Sequence, residues 1–572
     1  MSALETSHPD VGTGAWAGVA AIFIAVFMQM VDATIVTVAL PDIVRDLGAS
    51  SAESSLMLTG YTVALACTLL PSARAGMRCG RGGFFLAALA VFVGASVLCG
   101  LAPTPLTLIA ARVIQGAAAG AVSAQPIAII SARFGETNRR TLAFALYGAT
   151  AGTAAMLGPL IGGVLLAANP LEMTWRSIFL VNVIPGAVAL ALAGRYLRGS
   201  VSVERRPLDL IGALLATSAL FLLVYGLSIG REHRWSPPIV AMLACAGALL
   251  AVFVIHEHRL AQRGGAPLLD PGLLAARRFL AWMLACLLVY GVFGAYLFSM
   301  SVALQFGLGY SALLTGVATL PFSAGAVLGA LAAPRLARRL GNHLVGIGCA
   351  LFGVLLLGWL LALEPSPATL SWPVLMVPLI LGGLGVGAAA ARLQIALVEA
   401  APPQSIDAAS GLVPTAQQVG NSLGVALIGV IFFQAVAVGA PPAVSHERAQ
   451  LQQQLTTVTP LASGIAGEFG RCATLQLQSP TPERTPQGCS HDERAGASDL
   501  AERISSVVQT AARELLGTVF VSAFRTVLMV LLALVTVTSF ALLVRRAPVV
   551  GRKRARAERA RHSLESPNAH RL

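Results

Sequence analysis

Residues Gly148 to Gly163 read GATAGTAAMLGPLIGG, an uncharged stretch with Gly148, Gly152, Gly158, Gly162, Gly163 and a single Pro159. Small residues at helical spacing let two helix backbones approach closely, and a proline frees a carbonyl and bends the helix. The stretch therefore predicts a helix that packs tightly yet can flex.

Working outward, similar apolar runs of about 18 to 25 residues recur along the chain, each long enough to cross about 30 Å of hydrocarbon. Hydrophobic residues make up 56% of the 572, charged residues 11%, and mean hydropathy is +0.76, which excludes a soluble globular domain. Fourteen spans are expected: 16–40, 56–72, 83–102, 105–131, 141–168, 177–196, 208–229, 237–256, 279–305, 311–333, 343–363, 372–398, 405–438 and 516–544. This reads as an all-α integral membrane protein. Residues 1–200 form a six-helix half, 201–260 hold two inserted helices, and 261–572 form a second six-helix half. Two similar halves around an insertion are the kind of repeat that serves alternating access.

Arginine position supports this topology, because cytoplasmic loops carry the excess of positive charge. With the N-terminus inside, inner loops hold Arg74, Arg78 and Arg81, then Arg133, Arg139 and Arg140, then Arg195, Arg198, Arg205 and Arg206. Arg259, Arg263, Arg277, Arg278, Arg335, Arg338 and Arg339 follow the same rule. The basic tail, 546–572, puts the C-terminus inside as well. The net charge of +13 is thus mostly topology rather than a nucleic-acid surface. MSALETSHPDVGTG has no basic n-region or small-residue cleavage site, so no removable signal peptide is expected.

Six cysteines, Cys67, Cys79, Cys99, Cys245, Cys286 and Cys349, lie in or beside spans and read as packing residues. Cys472 and Cys489 share the polar segment 440–515, which the topology places outside, where a disulfide would persist. Segment 440–515 is expected to be a loop with helical ends, open to a periplasmic partner. Its SDLAERISSVVQTAARELL reads either as an amphipathic helix or as a lead-in to the last span. No Walker loop, HExxH or nucleophile elbow is present, so neither an enzyme, a cofactor nor a metal site is expected.

One acid breaks the apolar pattern. FMQMVDATIVTVALP, Phe27 to Pro41, places Asp32 inside a span, where a carboxylate is costly enough to imply a function. LIAARVIQGAAAG carries Arg112, Gln115, Gly116 and Gly120 in the fourth span. Asp32 lies about 12 Å from the outer end of its helix and Arg112 about 10 Å from the same side, so the two charges share a depth.

The Gly148–Gly163 stretch resembles the antiporter motif of the major facilitator superfamily, and Arg112, Gln115, Gly116 and Gly120 match its basic motif. WRSIFLVNVIPG (Trp175–Gly186) and SGLVPTAQQVGNSLGVALIG (Ser410–Gly429) resemble its helices 6 and 13. The chain is therefore identified as similar to the fourteen-helix drug/proton antiporter branch. PSARAGMRCGRGG keeps Arg78, Gly80 and Arg81 of the family's cytoplasmic gating loop, but Met77 stands at the aspartate position and Ala73 at the leading glycine.

The resemblance implies a major facilitator fold and a secondary transporter that exports organic compounds in exchange for protons. Lipophilic, cationic or amphipathic substrates are expected. Asp32 is the expected proton site and Arg112 its tuner, since burial and a nearby guanidinium act in opposite directions on a carboxyl. Gln115 is expected at the substrate cavity, and Gln417, Gln418 and Asn421 either there or bonding across helices. Alternatives are a dedicated exporter of one metabolite, such as an antibiotic, siderophore or fatty acid, and a non-transporting membrane sensor. Arginine-dominated usage, with Lys553 the sole lysine, and the absence of organelle targeting fit a bacterial inner membrane.

Overall fold

A backbone in hydrocarbon must pair its own N–H and C=O groups, and helices do so within a single segment. The computed structural model describes residues 13–49, 51–134, 138–197, 209–230, 233, 235–265, 267–365, 368–402, 405–456, 459–479 and 499–544. Among these, the chain is almost wholly helical.

The first helices are α1 (Thr13–Leu47), α2 (Ser51–Cys79), α3 (Arg81–Gly100), α4 (Pro105–Ser123), α5 (Pro126–Phe134) and α6 (Asn138–Ala168). Then come α7 (Ser177–Leu180), α8 (Val183–Tyr196), α9 (Leu210–Ile229), α10 (Pro237–Gln262), α11 (Pro271–Ala275) and α12 (Arg277–Val302). The remainder are α13 (Ala312–Ala318), α14 (Leu320–Leu340), α15 (His343–Ala362), α16 (Trp372–Glu399), α17 (Ile406–Thr456), α18 (Ala462–Leu477) and α19 (Asp499–Val544). The strands among the described residues, β1 (Leu363–Pro365) and β2 (Ala368–Leu370), form one antiparallel ribbon.

Among the described residues, 13 helical stretches are long and apolar enough to cross a membrane. Helix α6, where the fifth span is expected, contributes the shorter apolar stretches Leu142–Ala151 and Leu157–Ala168.

Glycines fix how these helices cross. A β-carbon at Gly116 would strike the Tyr61 carbonyl, and one at Gly120 the Leu65 carbonyl, so α4 lies directly on the α2 backbone. The same device recurs later, where Gly383 and Gly387 of α16 face the carbonyls of Phe322 and Ala326 in α14.

Helix α6 packs against α1 on one side and α13 on the other. Gly158 lies against Thr34 and the Val31 carbonyl of α1, and Gly162 against Ile35. On its other side, a β-carbon at Gly163 would come within 3.2 Å of Leu313, and Gly316 faces Leu160. Gly148 has more room, its nearest neighbour being the Ala391 nitrogen at 3.8 Å.

One expectation is corrected in detail. The stretch read as an inner loop after the second span is helical through Cys79, and the break comes at Gly80, whose φ of +86° suits glycine. The polar segment 440–515 is helical at both ends, as expected, and residues 480–498 lie outside the described residues. Helix α17 has 51 residues, about 77 Å, far beyond the thickness of a bilayer. Its far end packs with α18 and the start of α19 through Leu451, Leu455, Ala466, Val508 and Ala511. Ile504, Val507, Val508 and Ala511 of α19 are thus spent on this small bundle, and α19 runs on without a break into the last span.

Candidate functional site

Asp32 lies in α1 with none of its surface exposed, so protein donors must replace its water. Arg112 Nη1 of α4 donates to Asp32 Oδ2 at 2.5 Å. Gln115 Nε2 and Asn182 Nδ2 donate to Oδ1 at 2.8 and 3.0 Å. Arg112 and Gln115 are three residues apart and share one helix face. Asn182 stands at the junction of α7 and α8.

Each donor is itself held. The second hydrogens of Gln115 and Asn182 reach Ser96 Oγ of α3 at 3.1 and 3.0 Å, and Ser96 donates to the Phe179 carbonyl at 2.9 Å. Arg112 also bonds Gln115 Oε1 at 2.9 Å and, through Nε, the Met57 carbonyl at 3.3 Å. Its guanidinium lies 4.2 Å from the centroid of the Tyr61 ring, and Tyr61 donates to the Gln29 carbonyl at 2.9 Å. Gly116 allows this stacking, because its missing side chain lets the Tyr61 backbone close on α4. A buried ion pair is tolerable only with such surrounding hydrogen bonds.

The structure brings Asp32 and Arg112 into contact. It does not set them on an open cavity. Arg112 is 1% exposed and Gln115 is fully enclosed, so all three lie inside the packing of α1, α3, α4 and α8. Gln115, expected at the substrate cavity, is instead taken up by Asp32 and Ser96.

The later amides lie elsewhere. Gln417 is partly exposed and donates to Tyr290 Oη at 2.9 Å, while Asn421 rests against Gly294 of α12. Gln418 is partly exposed. Arg78 is exposed and Arg81 buried, and Ala73 and Met77 are buried, Ala73 facing Gly411 of α17. Cys472 is disulfide-bonded, the other described cysteines are free, and Cys489 lies outside the described residues.

Ser96, Asn182 and Tyr61 are absent from the sequence reading. A serine in a span carries little signal, yet Asn182 lies within the quoted WRSIFLVNVIPG and is polar in an apolar run.

The sequence profile of the Major Facilitator Superfamily matches residues 22–425. The chain belongs to this superfamily. This superfamily member is 31% identical over 539 residues to the probable actinorhodin transporter of Streptomyces coelicolor, covering 93% of this chain and 92% of that one. It is 35% identical to the puromycin resistance protein of Streptomyces alboniger, over 74% of this chain and 82% of that protein. The cephamycin export protein of Amycolatopsis lactamdurans is also 35% identical, over 70% and 82%.

A bacterial homologue of the human lysosomal transporter Spinster, solved inward-facing and unoccupied, shares the fold with a TM-score of 0.52 at 16% identity, covering 94% of this chain and 99% of that one. The human organic anion transporter gives 0.51 at 17%, over 72% and 92%. The superfamily member described here is thus a membrane transporter, a multi-pass protein of the bacterial plasma membrane.

Proposed function

We propose that this transporter exports lipophilic, cationic or amphipathic compounds, antibiotics among them, in exchange for protons by alternating access. The fold has fourteen spans, two of them inserted between six-helix halves, with both termini cytoplasmic. The enclosed Asp32–Arg112 pair carries the reading. A proton taken up by Asp32 cancels its charge and removes the partner that holds Arg112. Arg112 must then find another acceptor or water, which a rearrangement of α1 against α4 supplies. Proton uptake and helix movement are thereby linked. Helix α6, packed on α1 through Gly158 and Gly162 and on Leu313 through Gly163, passes that movement between the halves.

Substrate occupies the space between the halves, with the partly exposed Gln417, Gln418 and Asn421 as polar contacts. Because Asp32 is sealed off, substrate and proton compete through conformation rather than by sharing one carboxylate. Arg78, Gly80 and Arg81 act at the cytoplasmic gate, with Met77 and Ala73 making an apolar contact in place of a charge relay.

The test is efflux of a fluorescent lipophilic cation from proteoliposomes under an imposed pH gradient, for wild type and Asp32→Asn. Gradient-driven flux that vanishes in the variant supports the reading, whereas unchanged flux in Asp32→Asn overturns it. A dedicated exporter of one compound is the second reading, favoured because relatives are named for actinorhodin and cephamycin. Flux of one antibiotic class with none of the lipophilic cations would select it.

A further inference from the structure

The two helices between the halves carry a polar cluster of their own. Asp209 caps the N-terminus of α9, its Oδ1 accepting the Gly212 N–H at 2.9 Å. From α10, His256 Nε2 lies 3.1 Å from Asp209 Oδ1 and 3.0 Å from Oδ2. The neighbouring Glu257 is 1% exposed, and its Oε2 accepts the Leu269 N–H at 2.9 Å.

That leaves Glu257 Oε1 buried without a hydrogen-bond partner. It is aimed at the same small space as Asp209 Oδ2, since a β-carbon on Gly212 would collide with both oxygens. Two carboxylate oxygens pointed at one another, with His256 beside Asp209 and no lysine or arginine in an ion pair with either among the described residues, need a shared proton or a cation between them.

The side chains offer more than charge. One ligand atom each from Asp209, His256 and Glu257 can be chosen so that all lie within 4.8 Å of one another. In a tetrahedral site with bonds of about 2.1 Å, ligand atoms sit about 3.4 Å apart, a contraction that side-chain rotation supplies. Both carboxylates already have one oxygen anchored by a backbone N–H, the outer support that metal ligands use. The connecting segment that bears Leu269 is held in turn, because Arg74 of α2 donates to the carbonyls of Pro267 and Leu268.

We propose that Asp209, His256 and Glu257 form a binding site for a divalent first-row metal ion of the Zn²⁺ type. One imidazole and two carboxylates suit such an ion, and three protein ligands leave a fourth position for water. Binding requires His256 to present an unprotonated Nε2, so its ring proton moves to Nδ1 or is released. Gly212 is part of the site because only glycine leaves the space open. No metal is expected from the sequence, which carries no HExxH, and Asp209 and His256 stand 47 residues apart.

The test is Zn²⁺ titration of the tag-free, detergent-purified protein by calorimetry, with Co²⁺ absorption as a probe of coordination geometry. One equivalent is expected to bind, with tetrahedral Co²⁺ bands. Glu257→Gln, His256→Ala and Gly212→Ala are each expected to weaken binding by about tenfold or more. Gly212→Ala removes no ligand, so its loss of binding locates the ion in that space. Melting curves without metal identify variants that fail to fold, and binding is compared only among those that fold. Absence of a saturable site in the wild type overturns the proposal, as does equal binding in the folded variants.

Discussion

Asp32 and Arg112 are each worth little alone. Their meaning comes from a network in which every hydrogen of Gln115 Nε2 and Asn182 Nδ2 has an acceptor, with Ser96 serving both. Ser96→Ala strands one N–H on each amide and is expected to destabilise the protein by about 1–3 kcal/mol, read as a lowered melting point in detergent. Arg112→Lys keeps the charge but cannot reach Asp32, Gln115 and the Met57 carbonyl at once while covering Tyr61. Proton-driven flux should fall by about tenfold or more, equivalent to about 1.4 kcal/mol. At this scale the two charges were legible because a charge in an apolar run stands out. Ser96 was not, since a hydroxyl can bond its own helix and gives no sign of a distant partner.

Among helices, steric room at glycines is the controlling quantity. Gly158→Ala would drive a methyl into Thr34 and the Val31 carbonyl, costing about 1–3 kcal/mol. Gly148→Ala meets nothing closer than 3.8 Å and should be nearly neutral. Melting points of the two variants check this contrast. The motif as a string treats both glycines alike, and only the packing of α6 separates them.

A second element-scale contact lies at the end of α1. Asp46 accepts from Trp175 Nε1 at 2.9 Å and Arg176 Nη1 at 2.8 Å, and these bonds, Trp175 first, hold its pKa below the ordinary 3.8. A lowered carboxyl pKa gives a contribution that is present above 3.8 and lost as pH falls through the folded value. The indole N–H resonance of Trp175 should therefore stay constant at neutral pH and shift only below about 4, with no such shift in Asp46→Asn. A resonance that moves between pH 5 and 8 would contradict this.

Across the whole molecule, transport by rocking halves requires the contacts of α6 to change. The β-carbon position of Gly163 lies 3.2 Å from Leu313, close to the separation a disulfide needs. Gly163→Cys with Leu313→Cys, in a background lacking the reactive native thiols, should crosslink under mild oxidation and stop flux, and reductant should restore it. Full flux in the crosslinked protein would argue against rocking about this contact.

Composition and arginine placement by themselves determined that the chain is a helical membrane protein, because hydrocarbon accepts only apolar runs with internally paired backbone. Gly148–Gly163 and the Arg112 stretch pointed to the family by resemblance, because their small residues and charge stand at the family's positions. Only the tertiary structure decided that Asp32 and Arg112 are sealed among α1, α3, α4 and α8 rather than facing a cavity. It alone brought Leu451, Leu455 and Ala466 against Val508 and Ala511, and Asp209 to His256 and Glu257. Such outcomes depend on which faces of separate helices meet, and that is set by packing between residues far apart in the chain.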